Sequence, residues 1–171
     1  GRKPVIRELG LEAVGIKTEK GFIAIDAECR TNVPNIFAIG DITGKVQLAH
    51  VATSQGMVAA ANCADQPKRM RYDIIPSCVY TQPEWASVGL SEADAQAAGY
   101  ETKCGRFNMA ANGKATTMEA GRGMVKLVTD AKNRAILGAQ ILGPHATDII
   151  SEIAVAMQSE ATLDELQDTI H

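Results

Sequence analysis

The stretch "GMVKLVTDAKNRAILGAQILG" (residues 123–143) decides the fold of the second half of the chain. Two β-prone segments, "GMVKLVTD" and "AILGAQILG", alternate in their faces and flank the polar turn "AKNR". Alternation at a period of two predicts half-buried strands, and so short a polar link predicts an antiparallel hairpin. Further strands are predicted at "SCVYT" (77–81), "WASVG" (85–89) and "YETKCGRF" (100–107). The pattern therefore predicts an α+β domain built on an antiparallel sheet.

Helical patterns accompany these strands. Ser91 begins one predicted helix, because Asp94 stands three positions later as in a capping box and Gly99 follows as a terminator. After His145 the apolar spacing becomes helical, and a second short helix is predicted from Leu163. The apolar face of the longer helix comprises Ile149, Ile150, Ile153, Ala154 and Met157. The simplest assembly is an antiparallel sheet with helices on one side.

The first segment of the chain has an α/β pattern. "GFIAID" (21–26) and "NIFAI" (35–39) predict strands, the second of them buried on both faces, and Ala-rich residues 48–64 predict a helix. The polar, basic stretch "DQPKRMRYD" (65–73) then marks a domain boundary. The prediction is an α/β piece over residues 1–73, followed by the α+β domain over residues 74–171.

Asp41 is the candidate binding residue of the first segment. It follows the predicted strand "NIFAI", and ligands of open α/β sheets collect outside the carboxyl ends of strands. Gly40 allows close approach to the backbone, and a carboxylate accepts hydrogen bonds from hydroxyl groups. The helix that opens near Leu48 directs backbone N–H groups towards an electron-rich neighbour. Two interpretations stay open: a site for a polyhydroxylated ligand, or a plain turn or cap residue.

Composition excludes several functions. A net charge of -3 at pH 7 argues against nucleic acid as a partner, and no apolar run approaches the about 18 residues of a membrane span. The four cysteines are too scattered for a zinc knuckle or a CxxC redox pair, so buried, reduced thiols and no metal site are predicted. Neither a P-loop nor a complete GxGxxG fingerprint is present.

Six ordered motifs carry a family resemblance. The chain resembles the C-terminal portion of the flavin-dependent pyridine nucleotide-disulfide oxidoreductases, and most closely the branch that oxidises dihydrolipoamide rather than the glutathione or mercuric reductases. The motifs are "GRKP" (1–4), "TNVPNIFAIGD" (31–41), "QLAH" (47–50), "IPSCVYTQPEWASVGLSE" (75–92), "ILGPHATDIISE" (141–152) and "ATLDELQDTIH" (161–171).

The resemblance implies roles for individual residues. Asp41 matches the aspartate that hydrogen-bonds the ribityl chain of FAD. Gln47, Leu48, Ala49 and His50 match the segment that opens a helix against the pyrimidine edge of the flavin. Gly1 matches the glycine beside the bound nicotinamide nucleotide, NAD. Residues 1–73 resemble the C-terminal piece of the family's Rossmann-like FAD-binding domain. Residues from about 74 onward resemble the interface domain of the family's homodimer, truncated at its C-terminus.

The chain also departs from the full family pattern. The flavin-binding GxGxxG, the nicotinamide-binding domain and the CxxxxC redox disulfide of the family are not in this sequence, and "DTIH" matches only the start of the "HAHPTxxE" motif. The catalytic histidine is therefore expected just beyond His171, which itself is expected to be a frayed end. The resemblance implies a fragment that is inactive alone and holds little flavin.

The parent protein implied by this resemblance passes electrons from dihydrolipoamide through a disulfide and FAD to NAD, and contributes to cell redox homeostasis. Its expected partners are a second subunit and the lipoyl domains of 2-oxo acid dehydrogenase or glycine cleavage complexes. A cytoplasmic location is expected, with the mitochondrial matrix or a plastid as the alternative. The alternative functions are another disulfide reductase of the family and a purely structural dimerisation module.

Overall fold

Residues 3–171 are described by the structure, which is a computed structural model. The chain separates into two compact units, Gly1–Arg71 and Tyr72–His171. Gly1, the residue matched to the nicotinamide nucleotide, lies outside the described residues.

The first unit consists mainly of turns around one long helix. Strands β1 (Thr18–Glu19) and β2 (Phe22–Ile23) form a short antiparallel pair, and Gly40–Thr43 forms a single 3-10 turn. Helix α1 spans Ala49–Cys63, which confirms the helix predicted from the Ala-rich segment. The hydrophobic core of the first unit consists of Ile23, Ile25, Cys29, Val58 and Ala59.

The prediction of two strands in this unit is largely wrong. Only Phe22–Ile23 of "GFIAID" is a strand, and "NIFAI" makes a single isolated bridge, between Phe37 and Arg30. Ile39 belongs to the strand that was expected to be buried on both faces, but its side chain is 42% exposed. The physical reason is that a strand needs neighbouring strands to satisfy its backbone, and the described residues of this unit supply only that one bridge. Residues 31–36 instead form a closed turn, because the N–H and the hydroxyl of Thr31 both donate hydrogen bonds to the Ile36 carbonyl.

The end of the first unit is tied to α1 by one buried asparagine. The Asn62 amide donates to the carbonyl oxygens of Val58, Glu28 and Lys68, at 3.0, 3.2 and 2.8 Å. Its own carbonyl oxygen accepts the Lys68 N–H at 3.1 Å. One side chain thus satisfies backbone groups from three separate segments, which fixes the polar stretch after the helix.

The second unit is built on a five-stranded, wholly antiparallel sheet. The strands are β3 (Ser77–Val79), β4 (Glu84–Gly89), β5 (Thr102–Asn108), β6 (Met124–Asp130) and β7 (Ile136–Gly143). Their order across the sheet is β3-β4-β7-β6-β5. Strands β6 and β7 pair as neighbours, which confirms the predicted hairpin.

Four helices accompany the sheet: α2 (Glu92–Ala97), α3 (Gly113–Thr117), α4 (Ala146–Gln158) and α5 (Leu163–Asp168). Helix α4 packs on β7 and β4, and its Ile150 and Ile153 join a core with Val88, Ala139 and Ile141. Ile149, which the pattern places on the same apolar face, is exposed, because the stripe that packs against the sheet is narrower than the apolar face.

The expectation that all helices lie on one side of the sheet is wrong. Val125 and Leu127 pack in the core with α4, so the intervening Lys126 points to the opposite face. Glu92, at the start of α2, accepts hydrogen bonds from Lys126 Nζ at 2.6 Å and from Arg106 at 2.9 Å. Helix α2 therefore covers the second face, held there by an ion-pair cluster that local sequence patterns do not reveal.

The predicted helix starts are confirmed in detail. The Ser91 hydroxyl accepts the Asp94 N–H at 3.1 Å. Thr162 and Glu165 form a reciprocal capping box at the start of α5. Among residues 3–171, no helix has the length and apolar character that crossing a membrane requires.

The N-terminus of α4 is capped from a distance by Glu84 on β4. Oε2 of this carboxylate accepts the Thr147 N–H at 3.0 Å and the Thr147 hydroxyl at 2.8 Å. The N-cap residue, His145, adopts a left-handed backbone conformation and provides no side-chain cap. The backbone and hydroxyl hydrogen bonds from Thr147 favour the charged carboxylate and lower the pKa of Glu84.

Replacing Glu84 by glutamine is therefore expected to reduce stability in a pH-dependent way. A lowered native pKa contributes stability that is present above the ordinary value of 4.5 and is lost as the pH falls through the native pKa. The difference in free energy of unfolding between wild type and Glu84→Gln should be largest at neutral pH and shrink in acid. Urea titrations across this range measure it, with Glu101→Gln as a control for loss of one exposed charge. A difference that stays constant with pH contradicts the prediction.

Candidate functional site

Asp41 stands exposed in the 3-10 turn Gly40–Thr43. Gly40 has a φ of 77°, in the left-handed region that favours glycine. The Thr43 hydroxyl donates to the Gly40 carbonyl at 2.8 Å, and the Gly44 N–H donates to the Asp41 carbonyl at 3.1 Å. These bonds use backbone and hydroxyl groups, so the turn is closed without the Asp41 carboxylate.

A buried glutamine anchors this turn to α1. Gln55 is 0% exposed, and its Oε1 accepts the Gly40 N–H at 2.6 Å. A Cβ added to Gly40 would meet the Ala52 side chain at 3.6 Å, which shows how closely the turn approaches the helix. Gly44 closes the turn against β2, because a Cβ there would lie 2.5 Å from the Phe22 ring. The backbone that carries Asp41 is thus held from both sides.

The start of α1 is the second part of the site. Leu48 is the N-cap residue in an extended conformation and makes no side-chain capping hydrogen bond, while Ala49 and His50 open the helix on the surface. No acidic residue lies in the first turn. A helix N-terminus carries a partial positive charge of about half an elementary charge, which here has no compensating carboxylate within its own turn. The N-terminus of α1 therefore suits an electron-rich group of a ligand.

The structure places five of the predicted site residues in the same unit. Asp41 lies in the 3-10 turn, and the segment Gln47–His50 ends the loop that follows this turn and opens α1. The Gly40 N–H donates a hydrogen bond to Gln55 of that helix. These groups are complementary in chemistry: a carboxylate that accepts from hydroxyls, and an uncapped helix start. They fit a ligand that carries both hydroxyl groups and an electron-rich group.

Sequence reasoning missed Gln55, Thr43 and Gly44. The one available indication was a glutamine among the small and apolar residues of "VATSQGMVAAA" (51–61), where a buried polar side chain needs a partner. The partner of Gln55 is 15 positions away and is a backbone amide, which local pattern does not specify.

The cysteines lie outside this site. All four are free, and Cys29 alone among them is fully buried, so the predicted burial of the thiols is wrong for the exposed Cys63. Burial, and secondarily the Asp26 charge, raises the pKa of Cys29 to about 11. Burial, together with nearby carboxylates, also raises the pKa of Cys78 and Cys104. These three thiols therefore stay protonated at neutral pH, which makes them weak nucleophiles.

His145 and His171 each have an acidic partner. His145 Nδ1 lies 3.3 Å from an Asp148 carboxylate oxygen, and His171 is not frayed as expected but bonds to Glu152 on α4. Within the described part of the chain, no three histidine, cysteine or acidic side chains come together in a way that could hold a metal ion.

Two family models match the chain. The dimerisation domain of the pyridine nucleotide-disulphide oxidoreductases matches residues 75–171, and a second model of the same oxidoreductases matches residues 1–56. The first match covers more than half of the chain and corresponds to the unit built on the five-stranded sheet.

Curated relatives and solved structures agree with these matches. Dihydrolipoyl dehydrogenases from Chlamydia muridarum and Geobacillus stearothermophilus are 46% and 45% identical over the whole chain, which spans 37% of the length of each. LpdA from Mycobacterium tuberculosis is 31% identical, with a TM-score of 0.95 over the whole chain and 38% of its own length. The HOCl-induced flavoprotein disulfide reductase RclA from Escherichia coli is 26% identical, with a TM-score of 0.88 over the whole chain and 40% of its own length. The chain belongs to the pyridine nucleotide-disulphide oxidoreductases.

Proposed function

We propose that this chain is part of a dihydrolipoyl dehydrogenase, an enzyme that oxidises dihydrolipoamide and reduces NAD. The observation that carries the proposal is the 41–46% identity, over the full length of the chain, to eight curated proteins with that name. The chain alone lacks the redox disulfide motif, so the proposed activity belongs to the longer protein.

The proposed role of residues 1–73 is to complete the flavin-binding region. Asp41 accepts hydrogen bonds from ribityl hydroxyls of FAD, and Gln47, Leu48, Ala49 and His50 present the helix start to the flavin ring. Gly1, which lies outside the described residues, is proposed as part of the site for the nicotinamide nucleotide. FAD supplies the electron transfer between the dithiol and NAD. The partial positive charge of α1 favours negative charge that develops on a neighbouring group.

The proposed role of residues 74–171 is dimerisation. Four apolar side chains form a row across the sheet, on the face opposite α4: Val79, Trp85, Leu142 and Met124 are successive partners in the strand register. All four are at least partly exposed. A continuous apolar row on a partly open sheet face is typical of a surface that a partner covers. We assign this row to the contact in a homodimer.

Partners and location follow from the same proposal. Lipoyl domains of 2-oxo acid dehydrogenase or glycine cleavage complexes would present dihydrolipoamide, in the cytoplasm of a bacterial cell. The second candidate function is another disulfide reductase of the family, which the similarity to RclA of Escherichia coli keeps open.

The activity is tested on the parent protein, expressed at full length. It is expected to reduce NAD with dihydrolipoamide as electron donor, and to show no comparable turnover with glutathione disulfide or mercuric ion. Higher turnover with either of those substrates would favour the second candidate. The chain of residues 1–171 serves as the matched inactive control.

Replacing Asp41 by alanine in the parent protein is expected to weaken FAD binding by about 10- to 100-fold, since a hydrogen bond to a charged group contributes about 1.5–3 kcal/mol. Flavin content after dialysis and FAD titration of the apoprotein measure the loss. Asp65→Asn, at an exposed acid in the same unit, is the control and should bind FAD as wild type does. Unchanged FAD affinity in Asp41→Ala would remove this residue from the site.

Replacing Trp85 by glutamate is expected to raise the dimer dissociation constant of the parent protein by at least about 30-fold, because a central aromatic contact contributes about 2 kcal/mol or more. Light scattering during size-exclusion chromatography at falling concentration detects the monomer. Tyr100→Glu changes a similarly exposed aromatic residue away from the row, and should leave the dimer intact. Equal dissociation of both variants would contradict the assigned interface.

A further inference from the structure

Gln55 is a polar side chain on a helix face that otherwise buries apolar residues at this level. It is 0% exposed, and Val51, Val58 and Ala59 of the same face of α1 are buried with it. An amide that is taken out of water costs free energy unless it is hydrogen-bonded. The Gly40 N–H supplies a bond to Gln55 Oε1, at 2.6 Å. The buried amide therefore links α1 to the turn that carries Asp41.

Three residues of α1 form a seat for the peptide between Ile39 and Gly40. Gln55 accepts the N–H of this peptide. A Cβ added to Gly40 would meet the Ala52 side chain at 3.6 Å, and a Cβ added to Gly56 would meet Ile39 Cδ1 at 3.5 Å. Ala52 lies three positions before Gln55 and four before Gly56, so all three occupy one side of the helix. The start of the turn is thus attached to the helix whose N-terminus forms the second part of the candidate site.

Two further hydrogen bonds hold the backbone on either side of Asp41. The Thr43 hydroxyl donates to the Gly40 carbonyl, and the Gly44 N–H donates to the Asp41 carbonyl. Both bonds lie within the turn and maintain its shape. Of these three bonds, the one to Gln55 comes from outside the turn, so it sets how the turn is oriented relative to α1.

The conformation of Gly40 makes this external bond more consequential for a ligand. Its φ of 77° suits glycine, but glycine also has more alternative conformations than any other residue. When a ligand binds one arrangement of a site, its apparent affinity falls with the fraction of molecules in that arrangement. A bond that keeps the Asp41 carboxylate in one place therefore strengthens binding without any contact to the ligand.

We propose that Gln55 is a positioning residue of the flavin site: through the Gly40 N–H it holds the Asp41 carboxylate beside the N-terminus of α1, where hydroxyl groups of FAD donate to it. This inference rests on the proposed function, because it takes FAD as the ligand of Asp41. The competing explanation is that Gln55 only stabilises the fold. The two explanations differ in whether the effect of Gln55 on FAD affinity requires Asp41.

Gln55→Met in the full-length parent protein tests the first step. Methionine is a straight-chain residue with a similar helix propensity, and it removes the acceptor of the Gly40 N–H. The variant apoprotein is expected to bind FAD about 10-fold more weakly, a change within the range of coupling between neighbouring residues. A fluorescence titration of the apoprotein with FAD measures this affinity.

The double variant with Asp41→Ala is the decisive comparison. Once the carboxylate is absent, its placement no longer matters, so adding Gln55→Met should weaken FAD binding by less than about 2-fold further. If Gln55→Met instead caused its full loss of about 10-fold in this background, the two effects would be independent. Independence would overturn the positioning role.

Asn62→Ala is the matched control, because Asn62 is another buried amide of α1 and bonds to Glu28 and Lys68 rather than to the turn. It should leave FAD affinity unchanged although it lowers stability. An equal loss of affinity in Asn62→Ala and Gln55→Met would mean that affinity follows general stability, and the proposal would be wrong.

Hydrogen–deuterium exchange of the apoprotein gives a readout that does not involve the cofactor. The peptide that contains Gly40 should exchange faster in Gln55→Met than in wild type, and at the wild-type rate in Asn62→Ala. An unchanged rate in Gln55→Met would show that Gln55 does not hold the Gly40 N–H, which contradicts the proposal.

Two outcomes separate the positioning role from the proposed function. Absence of FAD binding in wild type, or full affinity in Asp41→Ala, would overturn the flavin site and the positioning role together. Wild-type affinity in Gln55→Met, with Asp41→Ala weakened as expected, would overturn the positioning role alone.

Discussion

Replacing Gly138 by alanine is expected to lower the free energy of unfolding of the second unit by about 3 kcal/mol, at the upper end of the usual cost of overpacking. A Cβ on Gly138 would lie 2.3 Å from the Leu90 carbonyl oxygen, 2.6 Å from the Leu90 nitrogen and 2.8 Å from the Val88 carbonyl oxygen. All three neighbours are backbone atoms, so no flexible side chain can yield. Strand β7 would have to move away from the segment that leads from β4 into α2.

The measurement is a urea titration followed by circular dichroism. Gly105→Ala, on β5 of the same sheet, is the matched control, because a Cβ there would meet nothing within 4 Å. The control should unfold within about 0.5 kcal/mol of wild type, as most surface substitutions do. If both variants lost the same stability, the close approach at Gly138 would not be the cause.

Replacing Asn62 by alanine is expected to destabilise the first unit by about 3 kcal/mol, since each buried polar group left without a partner costs about 1–3 kcal/mol. The substitution removes the donor to the Glu28 and Lys68 carbonyls and the acceptor of the Lys68 N–H. It also leaves a cavity in a buried position. The turn around Glu28 and the stretch after α1 would lose their common attachment.

Asn35→Ala is the control for this second variant, because Asn35 is an exposed asparagine in the same unit. Thermal and urea unfolding of the two variants should separate clearly, with Asn35→Ala close to wild type. A loss of under about 0.5 kcal/mol in Asn62→Ala would show that water replaces the amide, as it does for exposed groups.

The parts of the fold that follow from sequence are those with local causes. The β6–β7 hairpin depends on a period of two and a polar turn, and the starts of α2 and α5 depend on residues within three positions of one another. Helix α1 was predicted from composition alone. In each case the deciding interactions lie within a few residues, so a single sequence contains them.

The parts that did not follow have distant causes. "NIFAI" has the composition of a buried strand, but strand formation depends on neighbours, and the described residues offer it one bridge. The position of α2 depends on Lys126, which lies 34 positions from Glu92. For the candidate site, Asp41 and the start of α1 were predicted, whereas the bond from Gly40 to Gln55 spans 15 positions and was not.

The hydrogen bonds between Lys68 and Asn62 affect where the first unit should end when it is expressed alone. The basic run "KRMR" (68–71) has the composition of a solvated linker, yet the Met70 N–H also donates to the Ala27 carbonyl at 2.8 Å. A truncation at residue 65 would leave the Ala27 carbonyl and the Asn62 side chain without these partners. The C-terminal boundary of an isolated first unit therefore belongs after Met70, where the last of these backbone bonds is made.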